Sequence, residues 1–361
     1  MNKLFSLPPA IDEKAKKIKL VILFISAILV FISCTKDNDT VSPQSEIFGE
    51  MVSSIENQQY GDVHSLLILK DNKIIFEKYF NNYSRNSKHA LYSITKSFTS
   101  ALIGICLAKG YIENIEMEVM DFFPEYESTI ANYDSLKAKI TIKNLLTMTS
   151  GLSWDEWATS YNDPDNDVME LVRSNDWIKY VLDKPMSHAP GTYIYYNSGG
   201  SHVLSGIITK ATGQSAEEFA RDNLFSFLDI TDWNWEKRSD GISIGGWGLS
   251  LRPVDMIKFG QLYLNKGVWN NVQVIPESWI EESTMPHYKM NQWVDYGYQW
   301  WRSGNSTESE NSNIFFASGR GEQYIWVIPD HNAVAVCTAW NDGESKLDAI
   351  LWEYILKALD N

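Results

Sequence analysis

Cysteine is scarce, with Cys34, Cys106 and Cys337 the three in 361 residues. Cys106 and Cys337 lie in apolar runs, where a lone thiol is a small core residue rather than half of a disulfide. The six His show no metal-ligand spacing, so neither a metal site nor another cofactor is expected. No low-complexity tract and no internal repeat occur. Basic charge is also short: the formal net charge is −15. An acidic chain of this kind argues against nucleic acid and against an electrostatic hold on anionic lipid. No Gly-x-Ser-x-Gly elbow is present, which argues against an α/β-hydrolase nucleophile.

The longest N-terminal apolar run, Leu20 to Ile32, is too short for a comfortable transmembrane helix. It follows Lys14, Lys16, Lys17 and Lys19 and ends at Ser33-Cys34, so residues 1–33 read as a secretory signal. Val30-Phe31-Ile32-Ser33-Cys34 resembles the lipobox of bacterial lipoproteins, which implies lipidation of Cys34. A plain signal peptide and an uncleaved anchor are the other readings of the same run. The leader carries five Lys against Asp12 and Glu13, which leaves the remainder near −18. Any membrane attachment is then expected through the lipid anchor alone. The expected location is the bacterial cell envelope, after export across the inner membrane. Residues 34–46 are polar and aperiodic and read as a tether. Residues 47–361 are long enough for a full core.

Within that region, Val63–Leu69 and Lys73–Phe80 alternate like strands around an Asp71-Asn72 turn. A long apolar run, Phe98 to Ala108, then reads as a buried helix stopped by Gly110. Ser93-Ile94-Thr95-Lys96 sits at its start. Spacing of three returns Lys96 to the face of Ser93, one turn on. A serine hydroxyl needs an adjacent base, and a desolvated lysine amine can be one. Read alone, the pair is also a helix-capping serine followed by a surface lysine. A second copy, Ser33-Cys34-Thr35-Lys36, would be split by processing. Short helices are expected around Thr141–Met148, Val168–Arg173 and Asp176–Asp183. Further helices are expected over Ser201–Thr212 and Ser215–Leu228, and from Pro253 to Gly267. Tyr296–Arg302, Ile314–Ser318, Gln323–Ile328 and Ala333–Ala339 read as an antiparallel meander. Ser345–Leu359 reads as a closing helix. The fold class is therefore α/β (α+β): an antiparallel sheet built from N- and C-terminal segments and flanked by helices, with a mostly helical lobe inserted at roughly 115–245.

Five blocks, in order, carry a family resemblance. They are Ser93-Ile94-Thr95-Lys96-Ser97-Phe98; Leu145 to Leu152; Pro190-Gly191 through Tyr195-Tyr196-Asn197-Ser198; Gly246-Trp247-Gly248-Leu249; and Ala317-Ser318-Gly319-Arg320-Gly321-Glu322-Gln323. Over about residues 47 to 357 the chain resembles the serine β-lactamase and penicillin-binding-protein superfamily. It is most similar to the class C-like branch, with its family VIII carboxylesterases, D-alanyl-D-alanine peptidases and 6-aminohexanoate-dimer hydrolases. The resemblance implies the β-lactamase/transpeptidase-like fold. It makes Ser93 the acylated nucleophile and Lys96 its base or proton relay. It makes Tyr195 the proton shuttle, its phenol acidified by a nearby ammonium, with Tyr196 one place away in register. Asn197 would orient Lys96 and the substrate amide. The alternative for Tyr195 and Asn197 is a plain turn between helices. The backbone N–H groups of Ser93 and Arg320 would form the oxyanion hole. Ser318, Gly319, Trp154 and Trp247 would contact substrate, with Trp157, Trp300 and Trp301 nearby. Each of these tryptophans is also readable as ordinary packing.

One block departs from the family. Lactamases and penicillin-binding proteins carry Lys-Thr-Gly where this chain has Ala317-Ser318-Gly319. The cation that helps hold a substrate carboxylate is missing, and Arg320 follows in its neighbourhood. The resemblance then implies a serine hydrolase acting through an acyl-enzyme on a small amide or ester. A D,D-peptidase or β-lactamase acting on peptidoglycan-type substrates and a non-catalytic envelope binding lipoprotein are the alternatives.

Overall fold

The computed structural model describes residues 42–303, 313–341, 343 and 346–361. The signal, Cys34 and the first part of the tether lie outside the described residues. The tether is shorter than expected. Ser42 caps a helix, α1 (Pro43–Glu56), by accepting from the Ser45 N–H at 3.2 Å, with Pro43 in the first turn. Residues 43–46 are therefore helical, on a serine–proline start signal that their polar composition obscures.

Turn chemistry sets the first strand pair. Asp71 and Asn72 both take positive φ (50° and 62°), which matches the twist of β1 (Val63–Lys70) and β2 (Lys73–Tyr79). A two-residue strand, β3 (His89–Ala90), leads through a 3₁₀ turn, Tyr92–Ile94, into α2 (Thr95–Ala108). Gly110, at φ 74°, follows the helix end as expected. Twelve consecutive residues of α2, Thr95 to Cys106, are buried. A helix apolar on every side belongs in the middle of a protein, and α2 lies there.

Residues 115–245 hold short helices: α3 (Ile142–Leu146), α4 (Asp167–Arg173), α5 (Trp177–Asp183), the longer α6 (Ser198–Thr212) and α7 (Ala216–Ala220). Strand β5 (Leu249–Leu251) pairs with β3 on one side and β4 (Asn234–Trp235) on the other in a small sheet. Then come α8 (Pro253–Leu264), the hairpin β6 (Val268–Trp269) with β7 (Val272–Gln273), and α9 (Glu277–Thr284). The C-terminal third supplies β8 (Tyr288–Lys289), β9 (Val294–Tyr296), β10 (Trp301–Ser303), β11 (Phe315–Gly319), β12 (Gln323–Ile328) and β13 (Ala333–Ala339). A helical stretch over 348–359 closes the chain.

The main sheet runs β2-β1-β13-β12-β11-β10-β9-β8, antiparallel throughout. N- and C-terminal strands thus complete one another, and β12 and β13 have the expected bounds. The expected strand over Tyr296–Arg302 is instead a hairpin. Gly297 donates to the Trp300 carbonyl at 2.8 Å, and Gln299 takes φ 63°. Gly297 has no room for a side chain, since a Cβ would lie 2.3 Å from the Ser283 carbonyl oxygen.

Alternation along the strands builds two cores. Leu67 and Leu69 of β1 face α2 and the helical segments, with Phe315, Ala317, Ile325 and Val336. Leu66 and Ile68 face α1 and the closing helix, with Tyr324, Trp326 and Cys337. Cys106 and Cys337 are both buried free thiols, as the apolar runs around them predict.

Candidate active site

Ser93 is fixed by the backbone on both sides. The Leu91 N–H donates to the Leu249 carbonyl at 2.8 Å, extending the β3–β5 ladder up to the serine. Tyr92, at φ 46°, then turns the chain into the 3₁₀ turn that carries Ser93. A bulky residue in this left-handed region is uncommon, and the neighbouring structure has to hold it there. The first turns of α2 grip the glycine-rich loop before β5. Thr95 Oγ1 accepts from the Leu249 N–H at 3.3 Å, and Thr99 Oγ1 donates to the Gly245 carbonyl at 2.8 Å. That loop packs on the start of α6 so closely that a Cβ on Gly246 would lie 2.7 Å from the Ser198 carbonyl oxygen.

Lys96 is 1% exposed. Its Nζ donates to Ser93 Oγ at 2.9 Å and to the Gly246 carbonyl at 2.8 Å. Burial pushes the amine down from its ordinary range to about 8, and the carboxylate of Glu156 opposes that fall. The same nitrogen stands 4.7 Å from the ring centre of Tyr196. An amine so placed and so softened can take the serine proton near neutral pH.

The tyrosine at this centre is Tyr196, not Tyr195. Tyr196 is buried, with the Lys96 nitrogen over its ring, and Ser93 is among the groups that act on its phenol. Tyr195 is half-buried and turns away, with its ring 4.7 Å from Tyr193 and 5.6 Å from His188. The chain is extended where it enters α6, so neighbours face opposite sides and a one-residue slip exchanges inside for outside. The expected acidification of the phenol also fails. Burial first, and then Glu156, push the Tyr196 phenol up, so it is a neutral hydroxyl that donates and accepts.

Asn197 does not orient Lys96. It is the N-cap of α6, its Oδ1 accepting from the Gly200 N–H at 2.8 Å, while its Nδ2 is buried without a partner. The residue two places after the tyrosine is therefore Ser198. Its N–H (2.7 Å) and hydroxyl (2.5 Å) both donate to Glu156.

No sequence motif marks Glu156, which belongs to the site, or Gln299, which braces the elements around it. Glu156 is 3% exposed, yet it lies in an acidic, aperiodic stretch. Gln299 joins three elements. Its carbonyl accepts from Ser97 of α2 at 2.8 Å, its Oε1 accepts from Ser201 of α6 at 2.7 Å, and its Nε2 donates to the Leu145 and Leu146 carbonyls of α3 at 3.0 Å. A glutamine beside a glycine turn is the only signal the sequence offers for it.

The sheet wall is β11. Gly319 packs against the turn that carries Ser93, since a Cβ there would lie 2.2 Å from the Leu91 carbonyl oxygen. Close backbone approach brings the β11 end, and with it the Arg320 main chain, to the turn that carries Ser93. Ala317 points into the core with Phe315 and Ile325. The Arg320 guanidinium does not occupy its place and sits over the rings of Tyr161 (5.3 Å) and Trp340 (5.8 Å). Ser318 opens into a cavity of about 660 Å³. The tryptophans divide. Trp157, Tyr196 and Trp301 form a near-parallel stack, with Trp157 4.6 Å and Trp301 5.7 Å from Tyr196. Trp154 is buried beneath, its indole N–H on Glu156 at 2.9 Å, and it lines a second cavity of about 380 Å³. Trp300 is core, and Trp247 packs on Trp177.

Known proteins share this fold. A family model described as Beta-lactamase matches residues 61–360. The 6-aminohexanoate-dimer hydrolase of Paenarthrobacter ureafaciens is 23% identical over 305 residues, 78% of this chain and 74% of that protein. Among solved structures, EstCE1, a hydrolase with promiscuous acyltransferase activity, superposes with a TM-score of 0.70 at 12% identity, covering 87% of this chain and 97% of its own. The octameric penicillin-binding protein homologue from Pyrococcus abyssi gives a TM-score of 0.67 at 18% identity, over 87% of this chain and 76% of that one.

Proposed function

The chain belongs to the Beta-lactamase family, and from that premise we propose that it is a serine hydrolase cleaving a small ester or amide through an acyl-enzyme on Ser93. The observation that carries this reading is the buried Lys96 amine, 2.9 Å from Ser93 Oγ and lowered to about 8. In its neutral form the amine takes the hydroxyl proton as Oγ bonds to the substrate carbonyl carbon. The oxyanion is held by the N–H groups of Ser93 and Arg320, each such donor typically contributing about 2.7–4 kcal/mol. As the bond to the leaving group breaks, the proton passes through the neutral Tyr196 hydroxyl to that group. Water then attacks the acyl carbon, gives its proton back along the same path, and frees Ser93 and the acid.

The larger cavity favours uncharged or apolar substrate parts. Among the described residues, Trp157, Trp293, Trp301, Phe316, Trp326 and Trp352 line it, and Asp348 is the one ionisable acid or base side chain there other than Tyr324. With Ala317 in the core, no lysine stands at the position that serves carboxylates in lactamases. Esters and amides such as those suggested by the 6-aminohexanoate-dimer hydrolase and EstCE1 fit better than a β-lactam.

The test is intact mass after a fluorophosphonate probe, with turnover of a panel of neutral esters and amides. Wild type is expected to gain one adduct and to turn over at least one class. Ser93→Ala should lose the adduct and about 1,000-fold or more in rate. A Ser93→Ala protein as active as wild type overturns the reading. Rapid nitrocefin turnover would move the substrate to β-lactams. We also propose that Cys34 is lipidated and anchors the domain in the cell envelope. Palmitate label lost in Cys34→Ala is expected, and label that survives would overturn it.

A further inference from the structure

Glu156 is a buried carboxylate whose four hydrogen bonds all come from neutral donors. They divide by kind. Oε2 accepts from the Ser198 main-chain N–H at 2.7 Å and the Trp154 indole N–H at 2.9 Å, donors that cannot reverse. Oε1 accepts from the hydroxyls of Ser198 at 2.5 Å and Tyr161 at 2.8 Å, which can turn and accept instead. A glutamine would satisfy the same four groups, with its oxygen on the fixed donors and its amide nitrogen facing the hydroxyls. Local structure therefore calls for the shape of this side chain but not for its charge. Burying an unpaired charge is costly, so the charge needs another purpose.

Two of the four donors belong to Ser198, which directly follows Tyr196 and Asn197. Trp157, next to Glu156, stacks on Tyr196. We propose that Glu156 is a positioning residue for the acyl-transfer site, tying the Tyr196–Ser198 segment in place through its oxygens and balancing the buried Lys96 ammonium with its charge. The proposal rests on the serine-hydrolase reading above.

The polar and charged groups around Lys96 are few. Ser93 faces it from the 3₁₀ turn, Tyr196 from the entry to α6, and the Gly246 carbonyl from the glycine loop. Glu156, in residues 153–161, acts on it through its charge, with the Tyr161 hydroxyl on Glu156 and the Arg320 guanidinium over the Tyr161 ring. Glu156 is the one of these that opposes the effect of burial on the amine. Without it, Lys96 would be a weaker base with a larger neutral fraction at neutral pH.

The test compares wild type, Glu156→Gln and Glu156→Asp. Lysine labelled with ¹³C at Cε is titrated by NMR, with Lys96 assigned by its absence in Lys96→Met. The pH dependence of Ser93 phosphonylation is measured in parallel. Glu156→Gln is expected to fold, to titrate Lys96 at lower pH than wild type, and to move the acid limb of phosphonylation the same way. Glu156→Asp keeps the charge but shortens the tie. Its Lys96 midpoint should stay near wild type while phosphonylation falls at every pH, toward the 100-fold that a misplacement of about 1 Å can cost. A Lys96 midpoint unmoved in Glu156→Gln overturns the electrostatic part. Wild-type phosphonylation in Glu156→Asp overturns the tie, and does so even if the Gln variant fails to fold. Wild type unlabelled at Ser93 at every pH overturns the hydrolase reading instead, and the NMR midpoints still decide the electrostatic part of the Glu156 proposal.

Discussion

Two segments meet at the site and are held by opposite means. Residues 91–99 are tied to main-chain groups of their neighbours: a backbone bond to Leu249 before Ser93, and after it two threonine hydroxyls and the Lys96 amine on the glycine loop and the start of β5. Residues 195–198 are held mainly by side chains: Glu156 on Ser198, Trp157 and Trp301 on the Tyr196 ring. The first segment is fixed by secondary structure, and its chemistry follows from local spacing. The second is fixed by partners distant in sequence, and its chemistry depends on which of two adjacent tyrosines turns inward.

The sharpest way to break this contrast is to change each tyrosine alone. Tyr196→Phe should lower kcat by about 100- to 10,000-fold, the range for loss of a positioned proton carrier. Tyr195→Phe should stay within a few-fold. The reverse ranking would return the role to Tyr195.

Lys96 offers a second, thermodynamic comparison. Its amine titrates near 8 in the folded protein, against an ordinary 10.5. Below pH 8 both states carry the proton, and the folded state bears the full cost of burial. Between 8 and 10.5 the unfolded state binds more protons, so stability rises with pH. The full difference is about 3 kcal/mol. Lys96→Met should therefore be inactive yet more stable at pH 7, by roughly 1–3 kcal/mol in denaturant melts. The gain should fade as the pH nears 10.5. A Met variant less stable than wild type at pH 7 would show that the bonds to Ser93 and Gly246 outweigh desolvation. In turnover, the acid limb of the pH profile should have its midpoint near 8.

The smallest effect is expected at the rim. Trp157 is 56% exposed although it stacks on Tyr196. Trp157→Ala should raise KM for substrates with apolar leaving groups by roughly tenfold, about one aromatic contact, and change kcat less. An equal fall in kcat would make Trp157 part of the tie on Tyr196 rather than a substrate contact.

Much of this arrangement is legible in the amino-acid sequence. The Ser93/Lys96 spacing, the Asp71-Asn72 hairpin, the Gly110 stop and the two C-terminal strands are local signals, and local signals survive folding. Tyr195 and Tyr196 are indistinguishable by composition. The N-cap role of Asn197 is the deciding clue, because it sets where α6 begins and hence which neighbour points inward. Glu156 carries no periodicity and no motif. A carboxylate among Asp and Glu residues reads as surface until the fold encloses it. The start of α1 at Pro43 is signalled by Ser42-Pro43 but outweighed by the polarity of the residues around it. Gln299 depends on three chain segments meeting, which no local pattern records.

The stacked rings of Trp157, Tyr196 and Trp301 have an optical consequence. Two indoles with centres 6.1 Å apart and planes within 15° couple electronically, and both border the larger cavity. Any compound entering there changes the dielectric between the chromophores and the exciton signal in near-ultraviolet circular dichroism. The protein thus carries its own label-free reporter of occupancy. Candidate substrates can be screened on a Ser93→Ala background, where nothing is consumed and the spectrum alone shows what binds.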